Sequence, residues 1–189
     1  MLLADGTMGQ MMEPVVLPEP CEDSPAAPSW ATTGTEMKRP HNVITSLYLK
    51  PTDLERTNLE RFKRYERLVA EEPMWESYLM DDADICIVST GITARVSKNA
   101  IVEARKRGIR VGMIRPITLY PFPSVPLAKA AEKVKNFLCV ELNMGQMIED
   151  VRLAIGCSRP VSLCNRVGGM IPSTDEVLAA IENLNGRGC

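Results

Sequence analysis

The stretch that decides the fold covers residues 83–116 and has the sequence ADICIVSTGITARVSKNAIVEARKRGIRVGMIRP. Its first apolar run, residues 85–88, is continuous, as in strands of a parallel sheet that is covered on both faces. A second apolar run follows at residues 111–114. Between the two runs, apolar residues recur at helical spacing up to the stop signal Gly108, namely at Ile92, Val96, Ala100 and Ala104. The pattern predicts a strand, a helix and a second, parallel strand.

The same alternation continues towards the end of the chain. Residues 137–140 and 161–164 form two more short apolar runs. A last helix is expected to begin at the capping-box stretch STDE, residues 173–176, and to end near Gly186. This last helix runs through Val177, Ile181 and Leu184, and the same helical spacing supports one further helix through Met147, Val151 and Ala154. The sequence therefore predicts an α/β fold with an open, mostly parallel sheet of four to five strands, right-handed crossovers and helices on both faces.

Two segments without this alternation come first. Residues 1–5 have the composition of the end of a buried strand, and Gly6 is expected to turn the chain. Because so short a strand needs neighbours, we expect the chain to begin partway through a larger domain. Residues 13–40 lack any apolar period and contain six prolines, which predicts an extended surface linker: Pro14, Pro18, Pro20, Pro25, Pro28 and Pro40.

A long surface helix is predicted after this linker. Residues 52–55, TDLE, have capping-box spacing, and Pro73 marks the expected end. One face is charged, with Glu60 and Arg64 four residues apart. The other face is expected to dock through a single apolar stripe, made of Leu54, Phe62, Tyr65 and Val69.

Composition and charge exclude several classes of function. The 189 residues carry a net charge of -2 and are 45% apolar, which is typical of a globular protein in water. No apolar run approaches the roughly 20 residues that span a bilayer, and the N-terminus has no Lys/Arg cluster followed by an apolar segment. We expect a cytoplasmic protein with no membrane partner and, because a basic stripe is missing, no nucleic-acid partner.

The cysteines do not form a metal-binding pattern. There are six of them with no CxxC pair: Cys21, Cys86, Cys139, Cys157, Cys164 and Cys189. With His41 as the only histidine, an iron–sulfur or zinc site is not expected. Cys86 and Cys139 lie in apolar runs and are predicted to be small buried core residues. His41 lies in the linker, where a surface or interface role is favoured over catalysis.

Chemistry in an open parallel sheet is expected in the loops that follow the carboxyl ends of the strands. Here these loops are residues 89–91, 115–118 and 141–146. The first could hold an anion at a helix N-terminus, but no G-x-G-x-x-G or P-loop pattern is present, so a structural helix start is favoured. The hexapeptides MGQMME (8–13) and MGQMIE (144–149) are interpreted as two similar strand-to-helix turns or as chance.

Four residues in the other loops are candidates for an interface. Arg115 follows a buried strand and needs an anionic or carbonyl partner, for which we expect a structural ion pair, possible also across a subunit boundary. Asn143 can cap a helix that begins near Gly145, whereas Gln146 can reach outward as donor and acceptor. The sequence offers no His–carboxylate pair, no activated Ser or Cys and no metal set, so no catalytic, cofactor-binding or metal residue is assigned.

Five segments in order resemble one family, the alpha subunits of 2-oxoacid:ferredoxin oxidoreductases, most closely the branched-chain (3-methyl-2-oxobutanoate, or 2-ketoisovalerate) type. They are DGTMGQMMEP (5–14), HNVITSLY (41–48), ADICIVSTG (83–91), RVGMIRPITLYPFP (110–123) and ELNMGQ (141–146). In this family a domain similar to the pyrimidine-binding domain of thiamine enzymes precedes one similar to the transketolase C-terminal domain. The resemblance implies a remnant of the first domain (1–14), an extended linker (15–51), a linking helical segment (52–80) and a transketolase C-terminal-like domain (81–189).

The resemblance implies a role in assembly. The enzyme that this domain would serve oxidatively decarboxylates a 2-oxoacid with coenzyme A and reduces ferredoxin. No cofactor is expected on this chain, while thiamine diphosphate, iron–sulfur clusters and coenzyme A are expected in the complex. The expected partners are the beta, gamma and delta subunits and, through the complex, ferredoxin. Two alternatives are a free-standing flavin- or nucleotide-binding α/β module and a nonfunctional fragment from a misplaced start.

Overall fold

The computed structural model describes residues 1–12, 14–19 and 30–186. The chain divides into two compact units. The first comprises Met1–Met11 with Arg64–Cys189, and the second comprises Met12–Lys63. No helix among the described residues is long and apolar enough to cross a membrane.

The first unit is built on a five-stranded sheet. Its strands are β1 (Trp75–Tyr78), β2 (Ile85–Ser89), β3 (Val111–Pro116), β4 (Asn136–Glu141) and β5 (Val161–Asn165). They lie in the order β1-β3-β2-β4-β5, and all neighbours are parallel except β1, which pairs antiparallel with β3. The predicted strands correspond to β2 to β5, so the predicted α/β class is confirmed. The strand β1 was missed because its four residues, WESY, contain no continuous apolar run and are partly exposed, as befits an edge strand.

Helices cover both faces of this sheet. The helices of the unit are α1 (Gly6–Gln10), the later part of α2 (Pro51–Glu71), α3 (Gly91–Lys106), α4 (Ser124–Ala131), α5 (Met147–Ala154) and α6 (Thr174–Gly186). Ile85 and Ile87 of β2 belong to one core cluster with α3 and α6, whereas Cys86 and Val88 belong to a second cluster with α4 and α5. Because side chains alternate between faces along a strand, burial on both sides requires the continuous apolar run seen in β2.

The terminal helix confirms its predicted start. The Ser173 Oγ accepts from the Glu176 N–H at 3.2 Å, and the Glu176 carboxylate accepts from the Ser173 N–H at 2.8 Å. These two reciprocal bonds are the capping box expected from the sequence. Similarly, Gly108 follows α3 with a φ of +79°, a left-handed conformation that ends a helix readily at glycine.

The strand predicted for the N-terminal stretch is wrong. Residues 1–5 form no strand, and Met1 to Ala4 are exposed, because the segment does not pair with the sheet. Instead, Asp5 is the N-cap of α1. The two similar hexapeptides also differ, since Gly9 lies within α1 whereas Gly145 lies in a turn before α5, with a φ of +101°. Of the two interpretations of this similarity, chance is therefore favoured over a shared turn.

The second unit consists of linker and the first part of α2. Described residues 14–19 and 30–50 contain no helix or strand, in keeping with the predicted linker, and His41 is exposed. Pro20, Pro25, Pro28 and Cys21 lie outside the described residues, as does Cys189 at the other end of the chain.

The helix α2 confirms the predicted long helix but differs in two details. It begins at Pro51, one residue before the expected cap, because proline is favoured in the first turn, where its missing N–H needs no partner. Its predicted apolar stripe is exposed by 40–63%, and within the first unit Tyr65 of this stripe packs edge-on against Tyr120, with ring centroids 6.5 Å apart.

Candidate functional site

The carboxyl ends of β2, β3 and β4 converge on a cleft of about 570 Å³. All three loops expected from the sequence line it, and the structure brings three of the four interface candidates together there: Arg115, Asn143 and Gln146. The fourth, Gly145, lies in the same turn as Asn143 and Gln146. The cleft forms because neighbouring strands β2 and β4 lead into α3 and α5, which cover opposite faces of the sheet. The crevice between two neighbouring strands whose helices lie on opposite faces is called the topological switch point. In open parallel sheets it is the usual place for a ligand.

Glu141, the last residue of β4, determines how α5 begins. Its side chain is 4% exposed, and its oxygens accept three backbone hydrogen bonds. The Oε2 accepts from the N–H groups of Gln146 and Met147 at 3.1 and 2.8 Å, and the Oε1 accepts from Ile148 at 3.0 Å. A buried carboxylate is stable here because it binds N–H groups that the first helical turn leaves without partners.

The predicted cap residue, Asn143, has a different role. Its Oδ1 accepts from the N–H groups of Gly145 at 2.7 Å and Gln146 at 3.0 Å, which shapes the turn before α5. The first N–H groups within α5 bind Glu141, so Asn143 and Glu141 together satisfy the N–H groups at the start of this helix. Glu141 was not predicted to cap α5, although an acidic residue shortly before a helix is a recognisable signal.

Gly145 is required by the shape of the same turn. Its φ of +101° is unfavourable for any residue with a side chain. A Cβ at this position would also lie 3.1 Å from the Ile148 Cγ2 and from the Leu163 Cδ2. The turn between β4 and α5 is therefore fixed by a buried carboxylate, an amide side chain and a glycine.

Arg115 forms the expected structural ion pair, and its partner is Glu76 of the same chain. The two are opposite each other in the β1–β3 register, with the Arg115 Nη1 3.1 Å from the Glu76 Oε2. The Lys98 Nζ binds the other Glu76 oxygen at 2.8 Å. The hydrogen bond from Lys98 is the largest cause that lowers the pKa of the Glu76 carboxyl, and the contact with Arg115 lowers this pKa further. Among the described residues, the Nε of Arg115 is the one buried side-chain nitrogen or oxygen without a hydrogen-bond partner.

The start of α3 binds a carboxylate from a distant part of the chain. The Asp5 Oδ2 accepts from the Ile92 N–H at 3.2 Å, across 87 residues of sequence, and its Oδ1 accepts from Met8 at 2.8 Å. Thr90 is the N-cap residue of α3, but its side chain makes no cap hydrogen bond. Its hydroxyl instead donates to the carbonyl oxygen of Pro116 at 3.3 Å. This geometry supports the structural helix start over an anion site for an external ligand. No local signal in the sequence pointed to Asp5.

The cysteines within the described residues are free and are not grouped. Cys86 and Cys139 are buried as predicted. Burial raises the pKa of the Cys86 thiol to about 12, and it raises the pKa of Cys139 well above its ordinary value. Within residues 1–12, 14–19 and 30–186, no three or more His, Cys, Asp or Glu side chains come together to bind a metal.

Comparison with known proteins gives a consistent result. The profile of the family described as "Pyruvate:ferredoxin oxidoreductase core domain II" matches residues 83–177. The "Ketoisovalerate oxidoreductase subunit VorB" of Methanothermobacter thermautotrophicus is 40% identical over 185 residues, which cover 98% of this chain and 52% of that protein. The "2-oxoglutarate synthase subunit KorA" of Methanothermobacter marburgensis is 39% identical over 104 residues, covering 55% of this chain and 28% of the relative.

The structural comparison extends the likeness to the fold. The structure of a 2-oxoglutarate:ferredoxin oxidoreductase from Magnetococcus marinus matches with a TM-score of 0.58 at 18% identity, over 72% of this chain and 24% of that one. At this identity the match concerns the fold alone. The chain spans about half the length of the VorB relatives that it matches over nearly its whole length.

Proposed function

The chain belongs to the pyruvate:ferredoxin oxidoreductase core domain II family, and from that premise we propose that it is an assembly part of the alpha subunit of a 2-oxoacid:ferredoxin oxidoreductase. The complex would oxidatively decarboxylate a branched-chain 2-oxoacid with coenzyme A and pass the electrons to ferredoxin. The observation that carries the proposal is the 40% identity to a ketoisovalerate oxidoreductase subunit over 98% of this chain.

The geometry of the cleft favours assembly over catalysis. Three charged groups of the cleft have partners in the fold, since Glu141 binds three N–H groups, Asp5 binds two, and Arg115 binds Glu76. A general acid or base must instead be able to reach a substrate proton. The polar groups of the cleft thus stabilise the loops rather than offer a reactive set.

The loops around the cleft also expose apolar side chains, which suits a protein partner. The exposed fractions are 52% for Ile117, 66% for Tyr120 and 80% for Met144. Apolar and aromatic side chains of this kind are typical of the core of a protein interface. We therefore propose that the carboxyl edge of the sheet docks on the beta, gamma or delta subunits, with Arg115, Asn143, Gly145 and Gln146 at or beside the contact.

The iron–sulfur clusters and the magnesium ion of such a complex require particular ligands. Iron–sulfur clusters need several thiolates, and the magnesium ion that accompanies a bound diphosphate needs oxygen ligands. Cys86 and Cys139 are buried in the core, and no group of metal-binding side chains forms in the described part of the chain. The proposal therefore assigns thiamine diphosphate, the clusters and coenzyme A to other domains and subunits of a cytoplasmic complex.

Co-purification tests this proposal. The tagged chain is co-expressed with the other subunits, including the pyrimidine-binding half, and the eluate is assayed for 2-oxoacid- and coenzyme A-dependent reduction of a viologen dye. We expect co-elution and turnover only with the partners present. Turnover by the isolated chain, or a flavin or nucleotide bound to it after purification, would contradict the assembly role.

Single substitutions locate the contact. Arg115→Ala and Gln146→Ala should reduce co-purification several-fold while leaving the thermal unfolding of the isolated chain nearly unchanged, because Glu76 keeps Lys98 and Gln146 makes no side-chain cap. Arg107→Ala is the matched control, since Arg107 pairs with Glu182 beyond the other end of α3. Equal co-purification of all three variants and the unmodified chain would show that this edge is not the interface.

A further inference from the structure

The described part of the second unit, residues 12, 14–19 and 30–63, contains no buried residue. The helix α2, which begins in this unit, buries none of its 21 residues. Large apolar side chains are nevertheless present on its first part, where the exposed fractions are 40% for Leu54, 62% for Leu59 and 63% for Phe62. Grouped apolar surface on a protein in water marks a contact with another molecule.

These apolar side chains border a groove on the first part of α2, with a volume of about 440 Å³. Its lining residues form two rows at i,i+4 spacing: Pro51, Glu55 and Leu59 in one row, and Leu54, Asn58 and Phe62 in the other. Rows at this spacing are the ridges that fit into the groove of a neighbouring helix. This surface, which we call the α2 groove, therefore has the form that a second helix needs.

The charges of residues 51–63 have opposite signs on the two sides of Asn58. Three acidic and three basic residues give the segment no net charge. Positions at equal distances from Asn58 carry opposite charges in all three cases: Asp53 and Lys63, Glu55 and Arg61, Arg56 and Glu60. A second copy of the helix, lying antiparallel with its Asn58 beside the first, would therefore place an opposite charge at the level of each charged residue.

The uncharged residues of the α2 groove are matched by the same symmetry. Leu54 and Phe62 lie four residues on either side of Asn58, so in an antiparallel pair each would be at the level of the other. The Asn58 amide would lie near the two-fold axis, where it can both donate to and accept from its twin. Such self-complementary contacts are what a two-fold dimer interface requires. Nucleic acids and anionic membranes fit less well, because they attract segments with a net positive charge.

We propose that the α2 groove binds a second copy of this chain, as an antiparallel pair of α2 helices with the two-fold axis at Asn58. Residues 51–63 make up fewer than four helical turns, so the contact is smaller than a standard protein interface and the dimer should dissociate on dilution. The pairing uses other residues than the cleft and does not depend on the proposed enzyme complex.

Sedimentation equilibrium of the full chain tests the dimer. We expect a mass that rises with concentration from the 20.9 kDa of one chain towards twice that value. Leu59→Ser should weaken dimerisation about tenfold and leave the circular dichroism unchanged, because Leu59 is exposed. Leu153→Ser is the matched control, since Leu153 is 81% exposed on α5. A chain that stays monomeric at every concentration, or a dimer that Leu59→Ser does not weaken, would overturn the proposal.

Charge reversal tests the antiparallel register. Glu55→Arg and Arg61→Glu each place like charges at the levels where residues 55 and 61 of the two copies meet, so each variant alone should dimerise several-fold more weakly. Mixing the two variants restores opposite charges at both levels. We therefore expect heterodimers to outnumber homodimers in native mass spectra of the mixture.

A mixture of Glu103→Arg and Lys106→Glu is the matched control, because it introduces the same net charges at exposed positions of α3. It should show no preference for heterodimers. The same preference in both mixtures would mean that overall charge drives the pairing, which contradicts the proposed register.

The co-purification experiment separates this dimer from the proposed enzyme complex. Leu59→Ser should not change co-elution of the other subunits with the tagged chain. If Leu59→Ser lowers that co-elution while the unmodified chain alone is monomeric, the α2 groove belongs to another subunit. In that case the dimer is wrong and the proposed complex stands.

Discussion

The helices α3 and α5 begin at the same edge of the sheet, and the N-terminus of each binds a carboxylate. For α5 this is Glu141, which lies five to seven residues before the N–H groups that it binds. For α3 it is Asp5, 87 residues away. The free N–H groups in the first turn of a helix need hydrogen-bond acceptors. A residue close in sequence supplies them for α5, whereas a tertiary contact supplies one for α3.

The two carboxylates also differ in burial. Glu141 is 4% exposed and accepts three backbone bonds, whereas Asp5 is partly buried and gives α3 a single one. Loss of a buried acceptor leaves its donors without water or protein partners, which costs more than the same loss at a site that water can reach. The start of α5 should therefore be the more rigid of the two, and removal of each carboxylate tests this difference.

The largest effect is expected for Glu141→Ala. Removing the carboxylate leaves the N–H groups of Gln146, Met147 and Ile148 without their acceptors, so the free energy of unfolding should fall by about 3–5 kcal/mol. Asp5→Ala removes one cap of α3 and should cost about 1 kcal/mol. Urea denaturation of both variants measures the difference. Equal losses would break the distinction between the two helix starts.

Gly145→Ala should have the next largest effect. The φ of +101° and the two 3.1 Å contacts of a Cβ together should cost about 2–3 kcal/mol. Gly108→Ala is the control, because Gly108 also has a positive φ but nothing lies within 4 Å of its Cβ; it should cost about 1 kcal/mol. If both variants unfold at the same urea concentration, the turn before α5 is less tightly packed than described.

Ser173→Ala extends the comparison to a third helix start, that of α6. Here both partners of the capping box are local and exposed, so we expect a loss of about 1 kcal/mol, seen as a lower midpoint of thermal unfolding. Ser158→Ala, on a loop residue that caps no helix, serves as the control. A loss as large as that of Glu141→Ala would show that burial does not set the order of these effects.

The smallest effect concerns the pH dependence at α6. The Arg166 ion pair, and after it the Ser173 N–H, lower the pKa of Glu176 below its ordinary value of 4.5. A lowered folded-state pKa means that Glu176 stabilises the fold above its unfolded-state pKa and that this contribution is lost as the pH falls through the folded-state pKa. The difference in unfolding midpoint between the unmodified chain and Glu176→Gln should thus shrink between about pH 7 and about pH 3. A constant difference would contradict this linkage.

Local patterns in the sequence predicted most of the sheet. The four parallel strands were identified by their short apolar runs, and β2, which is buried on both faces, shows a continuous run from Ile85 to Val88. The edge strand β1 was missed because its partly exposed residues WESY contain no such run. The three loops of the cleft were identified too, since the carboxyl ends of parallel strands share one edge.

The candidate site was predicted less completely. Arg115 was expected to need an ion pair, but its partner Glu76 belongs to the strand that the sequence did not reveal. Asn143 was expected to cap α5, yet Glu141 binds the N–H groups of Met147 and Ile148. In both cases the residue type indicated the kind of interaction, whereas the choice of partner depended on which side chains the fold brings within 3 Å or so.

What the sequence by itself determined is the alternation of strands and helices, the capping box of α6 and the family to which the loops point, because each depends on residues close together in the chain. Only the tertiary structure decided that Asp5 lies at the start of α3, that β1 completes the sheet and that Arg115 faces Glu76. These contacts join residues 87 and 39 positions apart. No local pattern specifies them, because they form only when packing of the sheet and helices fixes the distances between distant segments.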